Sequence, residues 1–144
     1  IQNGLAVFAG RLDQVDIRLD LAASLPPLQL DPEQIKRVVV NLVDNAAEAM
    51  QDRPLRRLYI TTSSPTPETV ELSISDTGAG ISPQDREKLF LPYFSTKSRG
   101  TGLGLAIVSH ILQEHHALIR VEDNRPAGAR FVIEFPVPVS VAAA

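Results

Sequence analysis

Asn41, Asn45 and Glu48 occur at steps of four and three in the run Asn41-Leu42-Val43-Asp44-Asn45-Ala46-Ala47-Glu48, so on a helix they share one edge. Asparagine is a poor helix former because its amide competes for backbone groups, and two of them weaken a helix by a few tenths of a kcal/mol each. Two readings offset that cost. The amides hydrogen-bond a neighbouring loop, or an amide oxygen faces a hard cation that keeps its water and phosphate ligands and needs few protein oxygens. A second group is Asp76-Thr77-Gly78-Ala79-Gly80, where paired glycines let the backbone turn sharply against a flat ligand and a carboxylate accepts from an exocyclic amine. As a bare motif it is equally a tight turn. The third is Gly100-Thr101-Gly102-Leu103-Gly104-Leu105, whose glycines open a helix and could present bare N–H groups and the positive dipole end to an anion. It is neither a phosphate-binding P-loop nor a dinucleotide fingerprint, because Gly-Lys-Ser/Thr is missing and no strand leads into it. A flexible hinge is the plain alternative.

Between the glycine groups, Phe90 and Phe94 could anchor a lid, while Lys97 and Arg99 stand where they could pair with terminal phosphates. A solvated basic loop is the alternative there. At ordinary glycine usage both glycine patterns arise together by chance in on the order of one chain in several hundred. The conjunction, in this order, is what carries weight.

The surrounding elements must position these residues. Val15, Ile17, Leu19 and Leu21 alternate with charged residues, as in a half-buried strand. Asp31-Pro32-Glu33-Gln34 is a helix start, with a capping carboxylate, proline in the first turn and Gln34 placed to reach back. The stripe Ile35, Val38, Val39, Leu42, Val43, Ala46, Met50 predicts a long helix ending near residue 52. Residues 56–63 and 69–76 read as a hairpin turning through Ser64-Pro65-Thr66-Pro67, and Ser82-Pro83 can cap a short helix running to about Phe90. Leu103 to His115 has helical spacing, and 118–122 and 129–137 are strands joined through Asn124-Arg125-Pro126-Ala127-Gly128. This order predicts an α+β fold: a two-layer sandwich with a mixed sheet covered by helices on one face. The whole chain reads as one domain, with a frayed tail over 139–144.

At 144 residues the chain can hide roughly 70% of the surface its unfolded form exposes. With 44% hydrophobic and 22% charged residues and a net charge of −3, it is neither disordered nor fitted to a phosphate backbone, so no nucleic-acid partner is expected. Without cysteine, disulfides and thiolate metal sites are excluded. No apolar run approaches the ~20 residues that cross a bilayer, so a fragment with no membrane contact is expected. Beginning at Ile1, the chain reads as a piece of a longer protein whose membrane segments are left open.

Taken in this order, the motifs resemble the ATP-binding catalytic domain of sensor histidine kinases, within the superfamily that also holds gyrase, Hsp90 and MutL (GHKL). Asn41–Met50 is similar to the family's N box, Asp76–Gly80 to its G1 box, Phe90–Phe94 to its F box and Gly100–Leu105 to its G2 box. The likeness spans about Leu12 to Val137. Leu91-Pro92-Tyr93-Phe94-Ser95-Thr96-Lys97 most resembles the nitrogen-regulation group. The resemblance implies a Bergerat-type sandwich that binds ATP with Mg²⁺. It implies a site made of Asn41, Asn45, Asp76, Gly78, Gly80, Ile81, Lys97, Arg99, Thr101, Gly102, Leu103 and Gly104. Within it Asn45 would hold the metal, Asp76 the adenine amine, Gly80 the backbone beside the base, Gly102 and Gly104 the phosphates, and Lys97 and Arg99 the γ-phosphate. Two departures stand out: Glu48 replaces a common basic residue, and His116-Ala117 replaces a common Gly-Gly.

Asn41 separates branches of the superfamily. Gyrase-like hydrolases carry a water-activating glutamate there, and an amide has no basic lone pair at neutral pH. Slow hydrolysis is expected, with phosphoryl transfer to a neutral imidazole brought in line. His110, His115 and His116 lie away from the glycine groups and read as surface or packing residues. The acceptor must then come from elsewhere, and the resemblance implies a dimerisation hairpin outside this chain, with a response regulator receiver domain as the onward partner. The resemblance further implies a cytoplasmic location, on a parent that a membrane can anchor. A hydrolysing conformational switch and a catalytically silent nucleotide-sensing module are the competing readings.

Overall fold

The computed structural model describes residues 15–22, 25, 28, 30–50, 54–86, 104–124 and 127–137. The elements are β1 (Asp16–Asp20), α1 (Pro32–Ala49), β2 (Arg57–Thr66), β3 (Thr69–Asp76), α2 (Pro83–Arg86), α3 (Gly104–Glu114), β4 (Leu118–Asp123) and β5 (Ala129–Pro136). Five strands form one sheet in the order β1-β2-β3-β5-β4. β1 runs parallel to β2, and every other neighbour pair is antiparallel. The expected mixed sheet is therefore present, and α1 lies in the crossover that a parallel β1–β2 pair requires. The expected frayed tail lies outside the described residues.

Alternation along the strands sorts the sheet into two faces. Leu58, Ile60, Leu72, Ile74, Phe131, Ile133 and Phe135 are buried and pack with Val38, Val39, Leu42, Val43 and Ala46 of α1 and Val108, Ile111 and Leu112 of α3. Each such Val, Leu, Ile or Phe side chain contributes about 1.5–3 kcal/mol relative to an exposed one. Among the described residues the other face carries no helix; Tyr59 and Leu118 are exposed there.

Asp31 caps α1 as its sequence implies, its Oδ1 accepting from the N–H groups of Glu33 (3.0 Å) and Gln34 (3.3 Å), with Pro32 in the first turn. The return bond expected of Gln34 is made instead by His115, whose Nε2 accepts the Asp31 N–H at 3.1 Å. With Nε2 an acceptor, the ring proton sits on Nδ1 and donates to the Ile111 carbonyl, 2.8 Å away. His115 thus ties the start of α1 to the end of α3, a packing role of the kind its position suggests.

The chain after α3 closes in a Schellman motif: Ala117 N–H donates to Leu112 O (2.9 Å) and His116 N–H to Gln113 O (3.1 Å). His116 has φ 57°, the left-handed conformation for which glycine is the unstrained residue. The turn that Gly-Gly usually makes is therefore kept by a histidine under strain. His116→Gly is expected to raise stability by about 1 kcal/mol, read as a higher urea midpoint at unchanged slope; a lowered midpoint would contradict the strain.

The hairpin differs from expectation in one respect. Strand pairing continues to Thr66 opposite Thr69, with a register shift between Ser63 and Thr66. Pro65, which cannot donate to a ladder, falls within that irregular stretch, and the Ser64 hydroxyl bonds the carbonyls of Thr66 (2.8 Å) and Thr69 (3.0 Å). The turn is thereby confined to Pro67-Glu68.

Candidate functional site

Asp76 ends β3, the middle strand of the sheet. It is 2% exposed, and Gly78, Ala129 and Asn124 are among the groups that hold it. Its Oδ1 accepts from the N–H of Gly78 (2.9 Å) and of Ala129 (3.3 Å), while its carbonyl accepts the Asn124 side-chain amide at 2.6 Å. Two N–H donors on one oxygen orient this buried carboxylate.

The glycines that follow bring this strand end onto α1. A Cβ on Gly78 would lie 2.6 Å from the Ala49 carbonyl carbon and 2.8 Å from its Cβ, and Ala79 N–H donates to Ala49 O at 3.2 Å. Only glycine allows that approach. Thr77 pins the same loop from its other side, donating to Leu55 O (2.9 Å) and accepting from Arg57 N–H (3.0 Å). Gly80 has φ 78°, and beyond it Ile81 packs its half-buried side chain on the core. α1 thus joins Asp76, at its C-terminal end, to the two asparagines one turn apart on its edge.

Asn41 and Asn45 are half-buried. The Asn41 Nδ2 donates to the carbonyl of Gly104, at a long 3.4 Å, where α3 begins. A carbonyl acceptor fixes which way this amide points, and a carboxylate at position 41 could not make the bond. The Asn41 amide thus ties α1 to the first residue of α3. Gly104 is exposed, and a Cβ there would meet nothing within 4 Å, so packing within the described residues does not demand glycine at this helix start. Lys97, Arg99, Thr101, Gly102 and Leu103, with Phe90 and Phe94, lie outside the described residues. Among the described residues no three His, Cys, Asp or Glu side chains gather as a metal cluster.

The matching family model, histidine kinase-, DNA gyrase B- and HSP90-like ATPase, covers residues 30–139. The chain belongs to this family. It is 35% identical over 127 residues to sensor histidine kinase ZraS of Escherichia coli O157:H7, covering 88% of this chain and 27% of that protein. The catalytic domain of histidine kinase ThkA superposes with a TM-score of 0.82 at 32% identity, covering 94% of this chain and 89% of that one. A further structure, ThkA in complex with response regulator protein TrrA, gives a TM-score of 0.78 at 28% identity, covering 95% of this chain and 39% of that one. The chain spans about a quarter of the length of curated relatives such as ZraS. The α+β fold and the ATP-binding family are those expected from the four motifs.

Sequence reasoning missed the clasp around Asp76. Asn124 and Gly128 read as members of an ordinary turn, yet Asn124 donates its side-chain amide to the Asp76 carbonyl and its own backbone N–H to Gly128 O (3.0 Å). A Cβ on Gly128, whose φ is 105°, would lie 2.7 Å from the Asp76 carbonyl carbon. The signal available was register: β5 pairs with β3 through Ser75 opposite Arg130, which sets the residues before Arg130 beside Asp76. The displaced titrations resolved among the described residues fall elsewhere. On the helix-free face Arg18, with Arg57, holds the Asp16 carboxyl below its usual range, and Arg120 does so for Glu122.

Proposed function

We propose that this chain is the catalytic domain of a two-component sensor histidine kinase, binding ATP with Mg²⁺ and delivering the γ-phosphoryl group to a histidine on a separate helical hairpin. Supporting it above all is the buried, oriented carboxylate of Asp76 locked onto the helix that carries Asn41 and Asn45. Asp76 would accept the adenine amine, while the Gly78–Gly80 backbone flanks the base. Asn45 would supply one neutral oxygen to the metal, which when bound neutralises charge on the phosphates. Such a donor set fits a hard ion that takes its remaining ligands from water and phosphate. Gly104, at the start of α3, together with Thr101, Gly102 and Leu103 would face the phosphates, and Lys97 and Arg99 would counter the γ-phosphate; these assignments outside the described residues rest on the motifs.

Asn41 favours transfer over hydrolysis. Its amide is engaged as a donor to Gly104 O, and it offers no base to activate water. The acceptor histidine and the response regulator receiver domain are supplied by other parts of the signalling system; the structural relative ThkA likewise forms a complex with a separate response regulator protein, TrrA. Incubation with a dimerisation hairpin of a related kinase and radiolabelled ATP should label the hairpin's histidine. Binding without labelling would instead favour a nucleotide-sensing module, and steady hydrolysis by the domain alone, unchanged in Asn41→Ala, would favour a hydrolysing switch.

Asn45→Ala provides a separate check on the metal. Calorimetric titration with a non-hydrolysable ATP analogue should lose its Mg²⁺-dependent part, roughly a tenfold difference in affinity for one charge-assisted contact. An equal Mg²⁺ dependence in the variant would remove Asn45 as the ligand.

A further inference from the structure

The helix-free face of the sheet is not evenly covered. At its centre β3 presents Ser73 and Ser75, short side chains flanked by longer ones on β2 and β5, where Tyr59 stands opposite Ser75 and Ser75 opposite Arg130. Short residues between long ones leave a hollow, of about 350 Å³, bounded by Arg57, Tyr59, Asn124 and Arg130 and floored by the two serines. Its size lies at the lower end of small-ligand cavities. It faces away from Asn41 and Asn45, behind the sheet.

Two observations show what this hollow would accept. First, its lining holds two guanidinium groups and no carboxylate. Arg57 uses its Nε on Asp16 (3.4 Å) and Arg130 its Nε on Ser73 Oγ (2.9 Å). The nearest carboxylate to Arg130, that of Glu71, is 3.9 Å from Nη2, too far for a hydrogen bond, so the outward N–H groups of both forks make no hydrogen bond among the described residues. β2 and β5 flank β3, so these cations stand one on each side of the hollow. Second, the Ser75 residue is only 7% exposed, yet its hydroxyl has no hydrogen-bond partner among the described residues. A buried polar group left so calls for an outside partner. Ser73, 2% exposed, already has its own in Arg130.

We infer that this hollow is a binding site for a small organic carboxylate, with the carboxylate on the Arg130 fork and the Ser75 hydroxyl and an apolar body against Tyr59 and Leu55. Guanidinium forks match carboxylates in shape as well as charge. Both apolar walls are partly exposed, Tyr59 at 40% and Leu55 at 46%, and they favour an apolar body over a bare inorganic anion. The site is independent of the nucleotide reading, since it uses none of the residues assigned to ATP.

The test is a ¹H–¹⁵N NMR titration of the full chain with benzoate, its nucleotide site first filled with ADP and Mg²⁺, and with neutral benzamide as control. Saturable shifts are expected at the amides of Tyr59, Ser75 and Arg130, absent with benzamide. Arg130→Gln should weaken benzoate roughly tenfold or more, the loss of a charge-assisted contact. Ser75→Ala removes a hydroxyl that bonds nothing among the described residues, so it should melt at or above the wild-type temperature while weakening benzoate several-fold. No saturable shift, equal shifts with benzamide, or unchanged benzoate affinity in both variants would overturn the site.

Discussion

Asp76→Asn is expected to abolish most nucleotide affinity while leaving the fold standing. The substituted side chain keeps an oxygen that can still accept from Gly78 and Ala129 N–H, the bonds that Oδ1 makes at 2.9 and 3.3 Å, so the clasp should survive with a cost of about 1 kcal/mol or less. The other carboxylate oxygen becomes an NH₂ group, which would meet the adenine amine donor to donor. Losing a charge-assisted acceptor is worth about 1.5–3 kcal/mol, and the facing donors add to it, so affinity for a non-hydrolysable ATP analogue should fall by roughly 100-fold. Calorimetry and a thermal melt on the same sample separate the two effects. Unaltered affinity in a well-folded variant would mean the base is not held by this carboxylate, and the nucleotide reading would fail at its root.

Gly128→Ala should do the opposite and act on the fold first. The added methyl would lie 2.7 Å from the Asp76 carbonyl carbon and 2.9 Å from its Oδ1, at a φ of 105° that side chains rarely adopt. Backbone on backbone cannot give way as a side-chain end can, so β4–β5 must separate from β3 at this point. The expected loss is about 3–5 kcal/mol, a large part of the roughly 5–15 kcal/mol that holds a domain of this kind together, read from urea unfolding. In whatever fraction stays folded, Asp76 is displaced and nucleotide binding falls with it. A variant within about 1 kcal/mol of the parent chain would show that the β4–β5 turn does not press on Asp76 as described.

Much of the architecture was legible because local chemistry and tertiary demand agree. The Asp31-Pro32 start of α1, its stripe from Val38 to Ala46 and the alternation in β3 each say the same thing at every level, which is why they fold as read. The site motifs were legible for a different reason: glycine at 78 and 80 has no use in a strand or helix interior, so its cost points to a close approach. What could not be read are the partners those residues require. Ala49 meets the glycine with its carbonyl and Cβ, which no motif marks, and Asn124 and Gly128 act across 48 and more positions of sequence through a strand register fixed only in three dimensions. His115 was legible as a packing residue but not as the acceptor for Asp31, since the choice between Gln34 and an imidazole from α3 is made by how two helices meet.

Placement of Asp76 on the innermost strand has a dynamic consequence. Both neighbours of β3 are antiparallel and hydrogen-bonded to it nearly to its end, with Leu58 opposite Asp76 and Arg130 opposite Ser75. Amides there exchange with solvent only when the whole unit opens, in contrast to edge strands, which release theirs in small local events. The end of the ligand that meets this carboxylate would therefore rest on the slowest-exchanging part of the molecule.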